Sequence, residues 1–185
     1  MVLIKLDAEK ILELQFARSL GLDLYEELMT VAPVTDVSQN LVFQRKFNAF
    51  YRIRRNAEWR RCYYILFEQA KEKHYGFADV IRALFAETGN VECSFSSKMI
   101  ATIDPNKPIW DQYVIQNLGL ELKGKTPFER VENAIGVYES IENWFAEYME
   151  TEEALENIAV FDKMLPSYAW LSGVKKIDFL LWSKR

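Results

Sequence analysis

The chain is predicted to be all-α, and three observations predict it. Apolar residues recur at separations of three and four, as in Phe43, Phe47 and Phe50 or Val131, Ala134, Ile135 and Tyr138, which is the stripe of a helix packed on one side. Helix-start and helix-stop residues bracket these runs: Asn56 and Pro127 at beginnings, Gly21, Gly89 and Gly119 at ends. Breakers are otherwise few, with seven Gly and five Pro in 185 residues and no internal repeat, so disorder and solenoid architectures are excluded. Half the residues are hydrophobic, enough for one well-buried core. A single compact multi-helix domain over residues 1–185 is expected, with no sheet beyond two or three short strands.

Each element follows from its local signals. Asp7 caps a first helix bearing Ile11, Leu12, Leu14, Phe16 and Leu20, and a short helix follows through Leu24, Tyr25 and Leu28. Pro33 and the β-branched residues around it predict an extended connection over Val31 to Val37. Gln39 to Ile53 is helical, with Val42, Phe43, Phe47, Phe50 and Tyr51 inward. Asn56 starts the next helix, which carries Trp59, Tyr63, Leu66 and Phe67 to about Lys73. Phe77 to Thr88 is a helix between Gly76 and Gly89. Pro127 opens a long helix whose apolar stripe starts at Phe128; it buries Val131, Ile135, Tyr138, Ile141 and Phe145 and exposes Glu132, Glu139 and Glu142. Glu152 to Lys163 is a shorter one, with Leu155, Ile158 and Phe161 inward and Pro166 beyond its end. The tail from Lys175 to Trp182 docks as a last helix or as an extended cover.

The stretch from Ser94 to Leu120 organises the remainder. Lys98, Met99, Ile100 and Ile103 form a helical repeat that stops near Asp104, because Pro105 lacks an N–H and restrains the residue before it. Beyond the proline-bounded loop, Asp111 stands at the start of a helix carrying Val114, Ile115 and Leu118, with Gly119 as its left-handed exit.

Composition excludes several classes. No apolar run reaches the ~20 residues that span a bilayer, and the beginning of the sequence has no basic segment followed by a long apolar one, so a cytoplasmic chain with no membrane partner is expected. Cys62 and Cys93 make no disulfide framework, and His74 is the sole histidine, which argues against zinc and against histidine-based triads. No metal and no cofactor is expected. The net charge of −4 conceals an asymmetry: Arg45, Lys46, Arg52, Arg54, Arg55, Arg60 and Arg61 face only Glu58, whereas eleven acids between Glu121 and Asp162 face Lys123, Lys125 and Arg130. The basic segment reads either as a phosphate-contacting surface or as the internal partner of the acidic helix.

The order of parts around Lys98 and Asp111 resembles the helix-hairpin-helix DNA glycosylase superfamily, the group containing endonuclease III and the 8-oxoguanine DNA glycosylases. Ser94-Phe95-Ser96-Ser97-Lys98 stands where that family has a Gly-x-Gly-x-Lys hairpin, with serines at both glycine positions. Pro108-Ile109-Trp110-Asp111-Gln112-Tyr113-Val114 is similar to its apolar-Asp-x-x-Val segment, and Asn117-Leu118-Gly119-Leu120 to its Arg-Leu-Gly-Leu continuation. The resemblance implies a degenerate helix-hairpin-helix element and excision of a flipped, damaged base from DNA. It implies Asp111 as the essential carboxylate and Lys98 as an amine nucleophile. It also implies Ser94 and Ser96 at the phosphate backbone and Trp110 and Tyr113 stacked on the base; the charge pattern, independently of the resemblance, nominates Arg52, Arg54, Arg55, Arg60 and Arg61 as phosphate contacts. Each residue has a plainer reading as well: Asp111 as a helix cap, Lys98 as helix surface, Trp110 as core. On that reading the chain is a non-catalytic helical protein that binds nucleic acid or a protein partner through residues 45–61.

Overall fold

The computed structural model describes residues 4–16 and 21–183. Leu20, expected on the first helix, lies outside the described residues, as does the side chain of Phe16. Among the described residues there are ten α-helices and no strand, so the chain is all-α. In chain order they are α1 (Ala8–Phe16), α2 (Leu22–Val31), α3 (Leu41–Phe50), α4 (Ala57–Lys73), α5 (Phe77–Thr88), α6 (Cys93–Ile103), α7 (Gln112–Asn117), α8 (Pro127–Met149), α9 (Glu152–Met164) and α10 (Gly173–Ser183). Backbone contacts group them into two compact units: Gly21–Ile103 with Lys123–Ile135, and Met1–Leu20 with Asp104–Leu122 and Gly136–Arg185.

The first of these units is built on aromatic rings. Phe47 is wholly buried, with ring centroids of Phe43, Tyr51, Tyr63, Tyr64 and Phe67 at 5.5, 4.6, 6.1, 6.0 and 5.6 Å. Tilted and edge-on pairs of this kind add about 0.5–1.5 kcal/mol each beyond area burial. The phenols of this core find partners: Tyr63 donates to the Phe95 carbonyl at 3.0 Å, and Tyr64 to Asn48 Oδ1 at 2.8 Å. Helices α5 and α6 pack on each other across the four residues 89–92, with Gly89 left-handed at φ 68°.

In the second unit α9 is the hub for α1 and α10. The Ala8 N–H donates to the buried Asn157 Oδ1 at 2.9 Å, and Asn157 Nδ2 donates to Tyr148 Oη at 3.2 Å. Helix α10 carries two buried charges, both satisfied. Lys176 pairs with Asp162 at 2.6 Å and donates to the Ala169 carbonyl at 2.9 Å, and Asp178 accepts from Lys175 Nζ at 3.0 Å. The loop before α7 is pinned by Tyr138 Oη donating to the Pro108 carbonyl at 2.8 Å and Ser172 Oγ donating to the Pro105 carbonyl at 2.6 Å.

Several expectations are corrected. The connection expected to be extended over Val31 to Val37 instead continues α2 to Val31 and adds a 3-10 turn over Ala32–Val34, because Pro33 falls in a first turn, where its missing N–H costs nothing. Val42, Phe128 and Leu155 face solvent although the pattern places them inward; in α3 and α9 the first turn buries the neighbouring Phe43 and Ala154 instead, which lie on another face of the helix. The tail takes the helical alternative, as α10.

Burial holds several ionisable groups neutral, which sets a pH dependence. Burial raises the Tyr63, Tyr64, Tyr138 and Tyr148 phenols well above 10.0, and the Cys93 thiol from 9.0 to about 11. The folded state therefore binds protons that the unfolded chain releases, so this contribution is complete below pH 9.0 and is lost as pH rises through 9.0 to about 11 and beyond. The urea midpoint is expected to be level from about pH 7 to 8.5 and to fall steadily above about pH 9. A midpoint that stays level to about pH 11 contradicts this account.

Candidate functional site

The corner between α3 and α4 is made by two caps. At the end of α3 the Ile53 N–H donates to the Asn48 carbonyl at 2.9 Å and the Arg52 N–H to the Ala49 carbonyl at 3.4 Å, the paired pattern of a Schellman motif, with Arg52 left-handed at φ 53°. Three residues later the Asn56 side chain accepts from the Trp59 N–H at 2.8 Å and starts α4. Tyr51, Ile53 and Trp59 are buried, so the residues between them turn outward: Arg52, Arg54 and Arg55 are exposed. In the first turns of α4, Arg61 is exposed and Arg60 half-buried, while Tyr63 is taken into the ring cluster.

Among the described residues, one arginine of this corner is held by an acid. Arg55 Nη2 lies 2.8 Å from Oε1 and 3.0 Å from Oε2 of Glu92, a carboxylate only 5 % exposed at the start of α6. Its guanidinium also lies 5.8 Å from the Trp59 ring centre and 5.7 Å from that of Phe95. Among the described residues Arg45, Arg52, Arg54, Arg60 and Arg61 have no ion-pair partner. The alternative in which the basic segment neutralises the acidic helix is thereby corrected. Helix α8 pairs with cations from elsewhere, Glu132 with Arg82 at 2.8 Å and Glu142 with Lys107 at 2.7 Å, and Lys46 pairs with Glu27. The guanidinium of Arg82 is the main reason the Glu132 carboxyl is held below its ordinary range.

The stretch around Lys98 and Asp111 is arranged differently from the hairpin that the resemblance implies. Ser94, Ser96 and Lys98 lie inside α6, and the turn comes earlier, at residues 89–92. Ser96 is fully buried and so presents no surface to a phosphate; Ser94 is half-buried, its carbonyl accepting from Ser97 Oγ at 3.0 Å. Lys98 is half-buried with its ammonium 5.2 Å from the Phe95 ring centre and 5.6 Å from that of Tyr51. Asp111 is the N-cap of α7: its Oδ1 accepts from the Tyr113 N–H at 2.9 Å. Trp110, expected to stack on a base, is buried in its unit, and Tyr113 is half-buried. Lys98 belongs to one compact unit and Asp111 to the other.

Sequence reasoning passed over Glu92 and Phe95, the residues that fix Arg55 and Lys98. The signal was present in part: Phe95 and Lys98 are three apart on one helix, and Glu92 stands at the α6 N-terminus, its carbonyl accepting from the Ser96 N–H at 2.9 Å. Among the described residues no group of three His, Cys, Asp or Glu side chains is placed to hold a metal ion, and no helix is long and apolar enough to cross a membrane. No protein-family model, curated protein or solved structure matches the chain.

The cap at Asp111 gives the first test. Asn caps about as well as Asp, so Asp111→Asn is expected to leave the thermal midpoint almost unmoved, whereas Asp111→Ala costs about 0.5–2 kcal/mol. Equal losses in the two variants, measured by denaturant titration, would show that charge and not capping is what this carboxylate contributes.

Proposed function

We propose that this chain is a non-catalytic helical protein that binds a phosphate-bearing polyanion, the backbone of a nucleic acid, through the corner formed by Arg52, Arg54, Arg55, Arg60 and Arg61. The observation that carries the proposal is the set of arginines in that corner that the described structure leaves without acids. Like charges gathered within ten residues repel one another, and a polyanion relieves that repulsion while releasing its own counterions. The net charge of −4 does not oppose this, since at physiological salt a ligand at the corner senses charges within roughly 8–10 Å.

Rings near the corner support a contact to phosphates rather than to bases. Trp59, Tyr51 and Tyr63 are buried, so their faces are taken up by the core and by the Arg55 and Lys98 cations. Base excision, which the resemblance implies, would need Asp111 and Lys98 at one sugar. The cap at Asp111 and the rings around Lys98 supply structural roles that account for both residues without it.

The test is binding of a labelled nucleic acid of random sequence across a salt series. Affinity is expected to fall steeply, with log K against log salt having a slope of about −4 if four to five phosphates are neutralised. Reversing Arg54 and Arg61 to Glu is expected to abolish binding with the thermal midpoint retained. No binding at about 50 mM salt by the folded protein would refute the proposal, and release of a free base from a lesion-containing duplex would return the assignment to base excision.

A further inference from the structure

Among the described residues four helices leave through a left-handed residue: α3 at Arg52 (φ 53°), α4 at His74 (φ 54°), α5 at Gly89 (φ 68°) and α7 just past its end at Gly119 (φ 64°). Glycine suits such an exit because a Cβ there crowds the neighbouring carbonyl. The chain uses glycine at two of the four. At Arg52 the conformation cannot relax, because Tyr51 and Ile53 on either side are buried and the Ile53 N–H is tied back to the Asn48 carbonyl. The arginine placed there is exposed and has no ion-pair partner among the described residues, so neither packing nor neutralisation within the chain accounts for it.

We propose that Arg52 is an affinity-determining residue for the polyanion, an arginine held at a backbone position where glycine would make the fold more stable. The inference rests on the reading of the α3–α4 corner as a phosphate-binding surface. The buried anchors on either side fix the direction in which the Arg52 side chain leaves the backbone, outward from the corner; Arg54 and Arg55 follow in the same short segment between the caps. Backbone strain that persists in a folded protein points to a use for the residue that bears it. Here the use is a contact to one phosphodiester.

The experiment measures thermal midpoint and affinity together for the full chain, with a labelled random-sequence DNA duplex as probe at about 50 mM salt. Arg52→Gly is expected to raise the midpoint by about 1–4 °C, the relief of the left-handed side chain less the added freedom of the unfolded chain. The same variant is expected to weaken binding about threefold to tenfold and to lower the salt slope by about one. Arg52→Lys keeps the charge and the strained backbone, so it should leave the midpoint unchanged and hold affinity within about threefold of the original. His74→Gly, at the equivalent exit of α4, is the control: its midpoint should rise similarly and its affinity stay the same. If Arg52→Gly binds as tightly as the original while Arg54→Ala and Arg61→Ala bind more weakly, Arg52 has no such role and the surface reading stands. If Arg52→Gly gains no stability, the proposed conflict between fold and ligand is wrong even where binding weakens. If the original chain does not bind the duplex, this inference falls together with the reading beneath it.

Discussion

The ring packing around Phe47 is the constraint on which the α3–α4 unit depends. Five aromatic centroids surround a side chain with no solvent exposure, and those rings come from both α3 and α4 and from the cap between them. Once Phe43, Phe47, Tyr63 and Phe67 are turned inward, helical periodicity leaves Arg45 and Arg61 on other faces, while Arg60, on the face of Tyr63, Tyr64 and Phe67, is half-buried at its edge. The same packing buries Tyr51 and Ile53, and the residues between and after them are the exposed arginines of the turn. The basic surface is thus what remains outside when an aromatic core of this shape is closed.

The cations at this corner differ in how they are held. Arg55 is fixed by a buried carboxylate and two rings, and Lys98 by two rings. Breaking the Arg55–Glu92 pair from the arginine side would leave a carboxylate that is only 5 % exposed without its cation, which is costly in a way that losing an exposed arginine is not. Arg55 therefore works in the fold as well as at the surface, whereas Arg54 and Arg61 are available for a ligand alone. In the other unit buried charges are likewise matched, Lys176 with Asp162 and Asp178 with Lys175, and their work is to seat α10.

Much of the fold is legible in the sequence because its signals are local. Asn56, Asp111, Pro105, Gly89 and Gly119 each act through one backbone bond or one dihedral angle, and each stands where those rules place it. What depends on distant residues was not legible. Periodicity put Val42, Phe128 and Leu155 inside, but which face of a first helical turn is covered is decided by neighbours far along the chain. The choice between a basic surface and an internally paired one turned on the partners of Glu132 and Glu142, which proved to be Arg82 and Lys107. The segment Ser94 to Lys98 is helical, and the turn that precedes it lies at residues 89–92, a displacement of a few residues that local signals did not fix. The division of the chain into two compact units, with α8 contributing to both, left no mark in composition.

Backbone amide signals recorded with and without a random-sequence nucleic acid test the central claim most directly, because they read the location of the contact residue by residue. The account predicts perturbation concentrated in residues 52–61, spreading to Glu92 through Arg55, with the signals of residues 108–117 unmoved. Perturbation centred on Trp110, Asp111 and Tyr113, with residues 52–61 unchanged, would contradict it.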